Sequence, residues 1–280
     1  MKTFRYFSAE YLASRGVRAV SLGLLCAIGL WLFSPKMAVA QGTLQRDQQA
    51  LTVLNQTIAA GGGPELLASV QDYTEKGAIT YNSTDQVTGD VTVKGRGLHQ
   101  FKVEADLSTG KRTTVVNGES GSMKETNGWV RPIYRQGAAD LGGLTLPYLP
   151  LIAAMQDSST SIIYGGLVSH NGTPAYDIRL LKVYTKGQDP SGDRGVKEAR
   201  DFYIDPKALL VVAISDRIHF GVGPHDEGVP HEIIYSNYQP ESGITVPLTI
   251  VETVRGVTGV TMKLSQIALN SGLSDSDFSL

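Results

Sequence analysis

Asp201-Phe202-Tyr203-Ile204-Asp205-Pro206 runs through Lys207-Ala208 into Leu209-Leu210-Val211-Val212-Ala213-Ile214. Two β-rich runs stand on either side of a tight Asp-Pro turn, which predicts an antiparallel hairpin. The chain continues in the same way. Ile233-Ile234-Tyr235-Ser236-Asn237-Tyr238 is another strand, and Glu241-Ser242-Gly243 a turn. Two long strands divided at Arg255-Gly256 follow, and Asp275-Ser276-Asp277-Phe278 closes the sequence. These last eighty residues read as an antiparallel meander without a grouping of nucleophile, base and acid. Such a chain is better suited to holding a molecule than to cutting one.

Upstream the periodicity first follows a helix. Leu51, Leu54 and Ile58 share a face, with Leu44 one heptad earlier. Gly61-Gly62-Gly63 ends that helix, and Pro64 and Glu65 suit the first turn of a second, with Leu66, Leu67 and Val70 facing inward. From Tyr73 the period falls to two. Strands are predicted at 73–81, 86–94, 98–107, 112–117 and 122–131, and again at 161–169, 174–184, 199–204, 209–220, 230–238, 245–255 and 258–270. In the third, Phe101, Val103, Ala105 and Leu107 occupy one face and Gln100, Lys102, Glu104 and Asp106 the other. In the last, Val260, Met262 and Leu264 are out of phase with Ile267 and Leu269, which a bulge near Ser265 repairs. Between the two strand series, residues 144–157 form a short, proline-interrupted apolar helix: either an ordinary core helix or a movable lid. The expected fold is mainly β: a strongly curved antiparallel sheet, or incomplete β-barrel, covered by a few short helices.

The N-terminus has the form of an export signal. Lys2, Arg5, Arg15 and Arg18 precede an apolar run from Ala19 to Phe33, and Ala38-Val39-Ala40 is a cleavage site. Residues 1–40 are therefore expected to be a signal peptide cleaved after Ala40, with an uncleaved anchor as the alternative, and 41–280 a single periplasmic domain. The lone cysteine, Cys26, lies in the leader, so the remainder has no disulfide, thiol nucleophile or thiolate metal site. The leader takes with it five of the 25 Lys and Arg and one of the 27 acids, leaving 20 against 26 and a net charge of −6. That balance disfavours nucleic acid and a polybasic membrane anchor.

Other chemistry is thin. His219, His225, Asp226, Glu227, His231 and Glu232 form the densest polar grouping, but their spacing matches no standard zinc site. With Gly221 and Gly223 alongside, the grouping reads as a solvated hairpin tip. Gly118-Glu119-Ser120-Gly121 is not a nucleophile elbow. No pair of carboxylates stands at a position that reads as buried, and His170, before Asn171-Gly172, reads as a turn residue. Tyr176, Tyr184, Tyr203, Tyr235 and Tyr238 are strand aromatics, with a ligand-facing stripe as the sharper alternative.

Several of these pieces together resemble the LolA/LolB-like family of periplasmic lipoprotein carriers, whose fold also includes sigma-factor regulators of the RseB type. They are the opening helix pair with Gly61-Gly62-Gly63, Gly172-Thr173-Pro174-Ala175-Tyr176-Asp177-Ile178, and Phe202-Tyr203-Ile204-Asp205-Pro206-Lys207. Tyr235-Ser236-Asn237-Tyr238, Gly243-Ile244-Thr245-Val246-Pro247, Ile267-Ala268-Leu269-Asn270 and the terminal Asp277-Phe278 complete the pattern. The resemblance implies an open half-barrel with an apolar concave face, binding lipoprotein acyl chains or lipid without a cofactor or metal. It implies a monomer whose partners include an inner- or outer-membrane protein. The family's gating arginine has four candidate positions here, Arg96, Arg112, Arg131 and Arg179. The expected cavity and lid residues are Phe101, Val103, Leu146, Leu149, Ile152, Met155, Ile178, Val212 and Ile214. The alternatives are a sensor module of the same fold acting on a membrane-bound regulator, and a hydrolase or metalloprotein using His225 and His231.

Overall fold

The computed structural model describes residues 44–82, 85–133, 145–183, 197–218 and 228–280. The leader, the 187–195 loop, Tyr184, His219 and His225 lie outside the described residues. The first described elements are two helices, α1 (Gln48–Ala60) and α2 (Pro64–Ala68). Six strands follow: β1 (Asp72–Tyr81), β2 (Val87–Arg96), β3 (Gln100–Leu107), β4 (Gly110–Asn117), β5 (Ser120–Lys124) and β6 (Val130–Ile133). Helix α3 (Tyr148–Gln156) precedes β7 (Thr160–His170), β8 (Thr173–Val183), β9 (Lys197–Ile204) and β10 (Val211–Ile218). Then come β11 (Val229–Glu241), β12 (Ile244–Val254) and β13 (Val257–Leu269), and a 3-10 turn at Asp275–Phe278.

All thirteen strands belong to one sheet, in the order β6-β5-β4-β3-β2-β1-β13-β12-β11-β10-β9-β8-β7. Every strand pair is antiparallel. Two meanders are thus joined where the first strand of one meets the last strand of the other. Among the described residues the sheet does not close into a barrel, and β6 and β7 are its edges.

The turn at 205–206 forms as its residues predict. Asp205 accepts from the backbone N–H groups of Lys207 and Ala208 through its carboxylate, and Leu209 takes a positive φ of 57°. The bulge expected near Ser265 is present. Lys76 pairs with Gln266 and Gly77 with Leu264, so Ser265 is the unpaired residue and Ile267 and Leu269 rejoin the apolar face.

Four expectations need correction. The single strand predicted at 122–131 is two strands, split by a turn in which Glu125 N–H donates to the Trp129 carbonyl and Gly128 N–H to the Glu125 carbonyl. Helix α1 turns Leu54 and Ile58 inward as expected, with Leu51 packed against the core and Ala50, Val53 and Thr57 beside them, but Leu44, ahead of the helix, is 52% exposed. Leu66 is likewise exposed, while Leu67 is buried. A five-residue helix presents only one position squarely to its support. The fourth concerns the polar residues and is taken up below.

The helices are fixed to the sheet by close backbone approaches. A Cβ on Gly61 would lie 2.6 Å from the Tyr148 ring, and one on Gly62 2.7 Å from the Gly243 carbonyl oxygen. Thr245 N–H donates to the Gly61 carbonyl, tying the helix pair to the β11–β12 hairpin. The β7 edge is covered by the segment before α1. Ile162 N–H donates to Gln45 and its carbonyl accepts from Asp47 N–H, one parallel bridge that blunts an otherwise open edge. On the far side of the sheet, Asp72 accepts from Ser271, Gly272 and Leu273. Lys94 and Arg96 pair with Asp277 and Asp275, and Phe278 is buried there under the Arg96 guanidinium.

Candidate functional site

The inner face of the curved sheet carries one continuous apolar cluster, contributed by β1–β4 and β7–β13 and covered by the three described helices. Strand parity places these side chains, because residues two apart share a face. Phe101, Ile178 and Ile214 are buried in the cluster, as is Leu146 at the approach to α3, and Val103 packs against it half-buried. The residue left out is Val212. Val211 pairs with Ile204 and Ala213 with Tyr203, so Val212 is the extra residue of a bulge. Val211 takes the inward position instead.

Helix α3, Tyr-Leu-Pro-Leu-Ile-Ala-Ala-Met-Gln, is apolar on more than one side. Tyr148, Pro150, Leu151 and Ala154 are buried, while Leu149, Ile152 and Met155 are half-buried against the cluster. Its ends have specific ties. Thr145 Oγ1 donates to the Tyr73 hydroxyl at 3.3 Å. The Arg46 guanidinium donates to the carbonyls of Met155 at 2.8 Å and Asp157 at 3.1 Å, where the helix leaves acceptors unmet.

The inner face is not wholly apolar, contrary to the apolar concave face that the resemblance implies. Charged residues sit in phase with apolar neighbours on five strands: Glu75 between Tyr73 and Ile79, Arg200 before Phe202, Asp216 after Ile214, His231 before Ile233, and Glu252 after Ile250. His231, expected at a solvated tip, is only 3% exposed. Its Nδ1 lies 2.6 Å from Asp216 Oδ1 and its Nε2 3.2 Å from Glu252 Oε1. Arg200 Nε stands 3.5 Å from Asp216 Oδ2. Burial works to lower the imidazole pKa, but hydrogen bonds to Asp216 and Glu252 outweigh it and hold it up at about 9. An imidazolium held between two carboxylates keeps its proton at neutral pH and is no general base. Among the described residues no group of three His, Cys, Asp or Glu is placed to hold a metal.

Glu75 is fully buried, and burial pushes its carboxyl up to about 8. Tyr73 and Tyr235 are also buried here, and burial raises both hydroxyls. The signal that would have found these residues was available: a charged residue at a strand position whose i±2 neighbours are apolar.

The strand tyrosines divide. Tyr235 is buried and Tyr176 and Tyr238 pack against the inner cluster, whereas Tyr203 lies on the opposite parity, stacked 3.6 Å from the His170 ring. His170 is not a free turn residue: its Nε2 is 2.7 Å from Glu232. Of the four candidate arginines, Arg96 and Arg179 lie on the outer face, paired with Asp275 and Asp201. Arg112 and Arg131 share the inner parity and both pair with Glu125, with Arg112 over the Tyr81 ring. No described helix is long and apolar enough to cross a membrane.

No protein-family model and no curated protein matches the sequence. Solved structures do. A domain described as an outer membrane lipoprotein-sorting protein from Vibrio parahaemolyticus superposes with a TM-score of 0.51 at 11% identity, covering 82% of this chain and 96% of that one. A LolA superfamily protein from Nitrosomonas europaea and a DUF1329 family protein from Desulfovibrio piger each give a TM-score of 0.49 at 12% identity, covering 82% of this chain and 97% of theirs. At such identities the likeness is one of architecture: the chain shares the fold of the Vibrio lipoprotein-sorting domain, the architecture that its turn and strand motifs resemble.

Proposed function

We propose that the protein is a non-enzymatic carrier of the cell envelope, working in the periplasm, that shelters a lipoprotein acyl chain or lipid against the inner face of its sheet. The observation that carries this reading is the cover. Helix α3 is apolar on several sides, lies over an apolar face, and is held by a few ties at its ends. Lifting it re-exposes two or three large side chains, at about 1.5–3 kcal/mol each, or roughly 3–9 kcal/mol. An acyl chain of about sixteen carbons gains roughly 12 kcal/mol on leaving water, at about 0.8 kcal/mol per CH₂. The ligand therefore outweighs the cover, and the cover's return promotes release.

The test uses protein expressed with its leader, recovered from the envelope and delipidated. A fluorescent fatty acyl probe is expected to bind stoichiometrically, and native mass spectrometry before delipidation to find lipid. Absence of binding at micromolar probe refutes the carrier. A second reading, a sensor module that docks on a membrane-bound regulator, draws on the β6 edge, where Trp129 and Val130 are 61% and 47% exposed. Pull-down from envelope extract separates the two: acylated lipoproteins favour the carrier, one transmembrane partner the sensor.

A further inference from the structure

Glu75 is an acid among apolar cross-strand neighbours, with no hydrogen-bond partner on its carboxyl oxygens among the described residues. Tyr73, Glu75 and Ile79 share the inner parity of β1, while Thr74, Lys76 and Ala78 point the other way. Its cross-strand neighbours are Val93 on β2 and Ile267 on β13, both apolar. It is 0% exposed, and among the described residues neither carboxyl oxygen has a hydrogen-bond partner. The Thr145 hydroxyl, which donates to Tyr73 at 3.3 Å, stands close enough to Glu75 to temper the rise that burial imposes on its carboxyl. Leaving a buried polar group unmet is costly, and interiors rarely tolerate it without a use. Thr145 leads into α3, so lifting that segment uncovers Glu75.

We propose that Glu75 is the anchor for a hydroxyl or amide group set within an otherwise apolar ligand chain, an inference that rests on the carrier reading. A carboxyl kept neutral by burial offers one donor and one acceptor. A hydroxyl or amide both donates and accepts, and so answers both oxygens. An ester carbonyl only accepts and leaves one unmet. An ammonium requires an ionised carboxylate among apolar neighbours, which burial opposes.

The experiment competes three probes of equal chain length against a fluorescent acyl reporter on the delipidated full-length product: methyl hexadecanoate, methyl 3-hydroxyhexadecanoate and hexadecanamide. The hydroxy ester, the amide or both are expected to bind about tenfold tighter than the plain ester, the worth of one buried hydrogen bond. Which of the two wins identifies the ligand as hydroxyacyl or acyl-amide. In Glu75→Leu the affinity ratio falls to about one, and Glu75→Gln, which also donates and accepts, keeps most of it. Equal affinities in the unaltered protein, or a ratio that survives Glu75→Leu, overturn the anchor and leave the carrier standing. Failure of every probe and of the reporter overturns both. If Glu75→Leu does not fold, the unaltered protein and Glu75→Gln decide.

Discussion

Glu75 makes the stability of this protein depend on pH in an unusual direction. Its carboxyl moves from an ordinary 4.5 to about 8 because it is fully buried. A folded-state pKa above the unfolded one means that the folded state holds the proton more tightly. The resulting stabilisation is complete below about 4.5 and is lost as pH rises through 8. At about 1.36 kcal/mol per pH unit, the loss between pH 5 and pH 8 is on the order of 3.5 kcal/mol. His231 acts in the same sense over a higher window, from 6.5 to about 9, and adds on the order of 2 kcal/mol of loss across that interval. Glu75→Gln separates the two, since glutamine keeps the shape and cannot ionise. Urea unfolding followed by circular dichroism at unit steps from pH 5 to pH 9 reads both profiles. The unaltered protein is expected to lose roughly 5 kcal/mol or more from pH 5 to 8, and Glu75→Gln only the His231 share of about 2 kcal/mol. Moderate salt leaves the difference intact, because a buried group is poorly screened. Parallel profiles for the two proteins refute the assignment of a neutral, buried Glu75.

Deleting Ser265 removes the unpaired residue and turns either Met262 and Leu264 or Ile267 and Leu269 out of the apolar cluster. A loss of several kcal/mol in urea is expected, roughly two side chains' worth of burial, and a loss under about 1 kcal/mol contradicts the bulge. Gly95→Val places a Cβ that would lie 2.1 Å from the Tyr73 ring. It should cost about 3 kcal/mol by overpacking, seen as a lower Tm, and Tyr73→Ala should relieve the clash in the double variant. Arg46→Ala frees the Met155 and Asp157 carbonyls at the end of α3. One or two kcal/mol of lost tether raises the lifted population about 5–30-fold, so stopped-flow association of the acyl probe should accelerate by a similar factor, and an unchanged rate argues against α3 as the moving cover.

Much of the sheet was legible because its determinants are local. Alternation of apolar and polar residues announces a strand wherever one face is dry, and β3 shows it plainly, with Phe101 and Ala105 buried and Lys102 and Glu104 outside. The Ser265 bulge was legible for the same reason: a phase break within a single strand requires an extra residue. Val212 was not, because Leu209 to Ile214 is apolar on both parities and leaves the phase undetermined. The inward face of α1 was read too narrowly because Ala50 and Thr57 carry little hydropathy signal, although both are buried. The buried acids escaped because Glu75 and Asp216 are individually ordinary surface residues. Only their phase relative to apolar neighbours marks them.

The sequence by itself determined that this chain is an antiparallel meander with one dry face, where most of its turns fall, and which side chains point inward in the cleanly alternating strands, since a period of two and a turn residue act over a few positions. Only the tertiary structure decided that β1 joins β13, that the sheet stays open, and that α3 lies over the inner face with Arg46 at its end. The same assembly carried His231 between Asp216 and Glu252 and left the Glu75 carboxyl oxygens without a hydrogen-bond partner among the described residues. Those outcomes depend on which distant surfaces meet, and burial of a charge is decided by what covers it rather than by the strand that carries it.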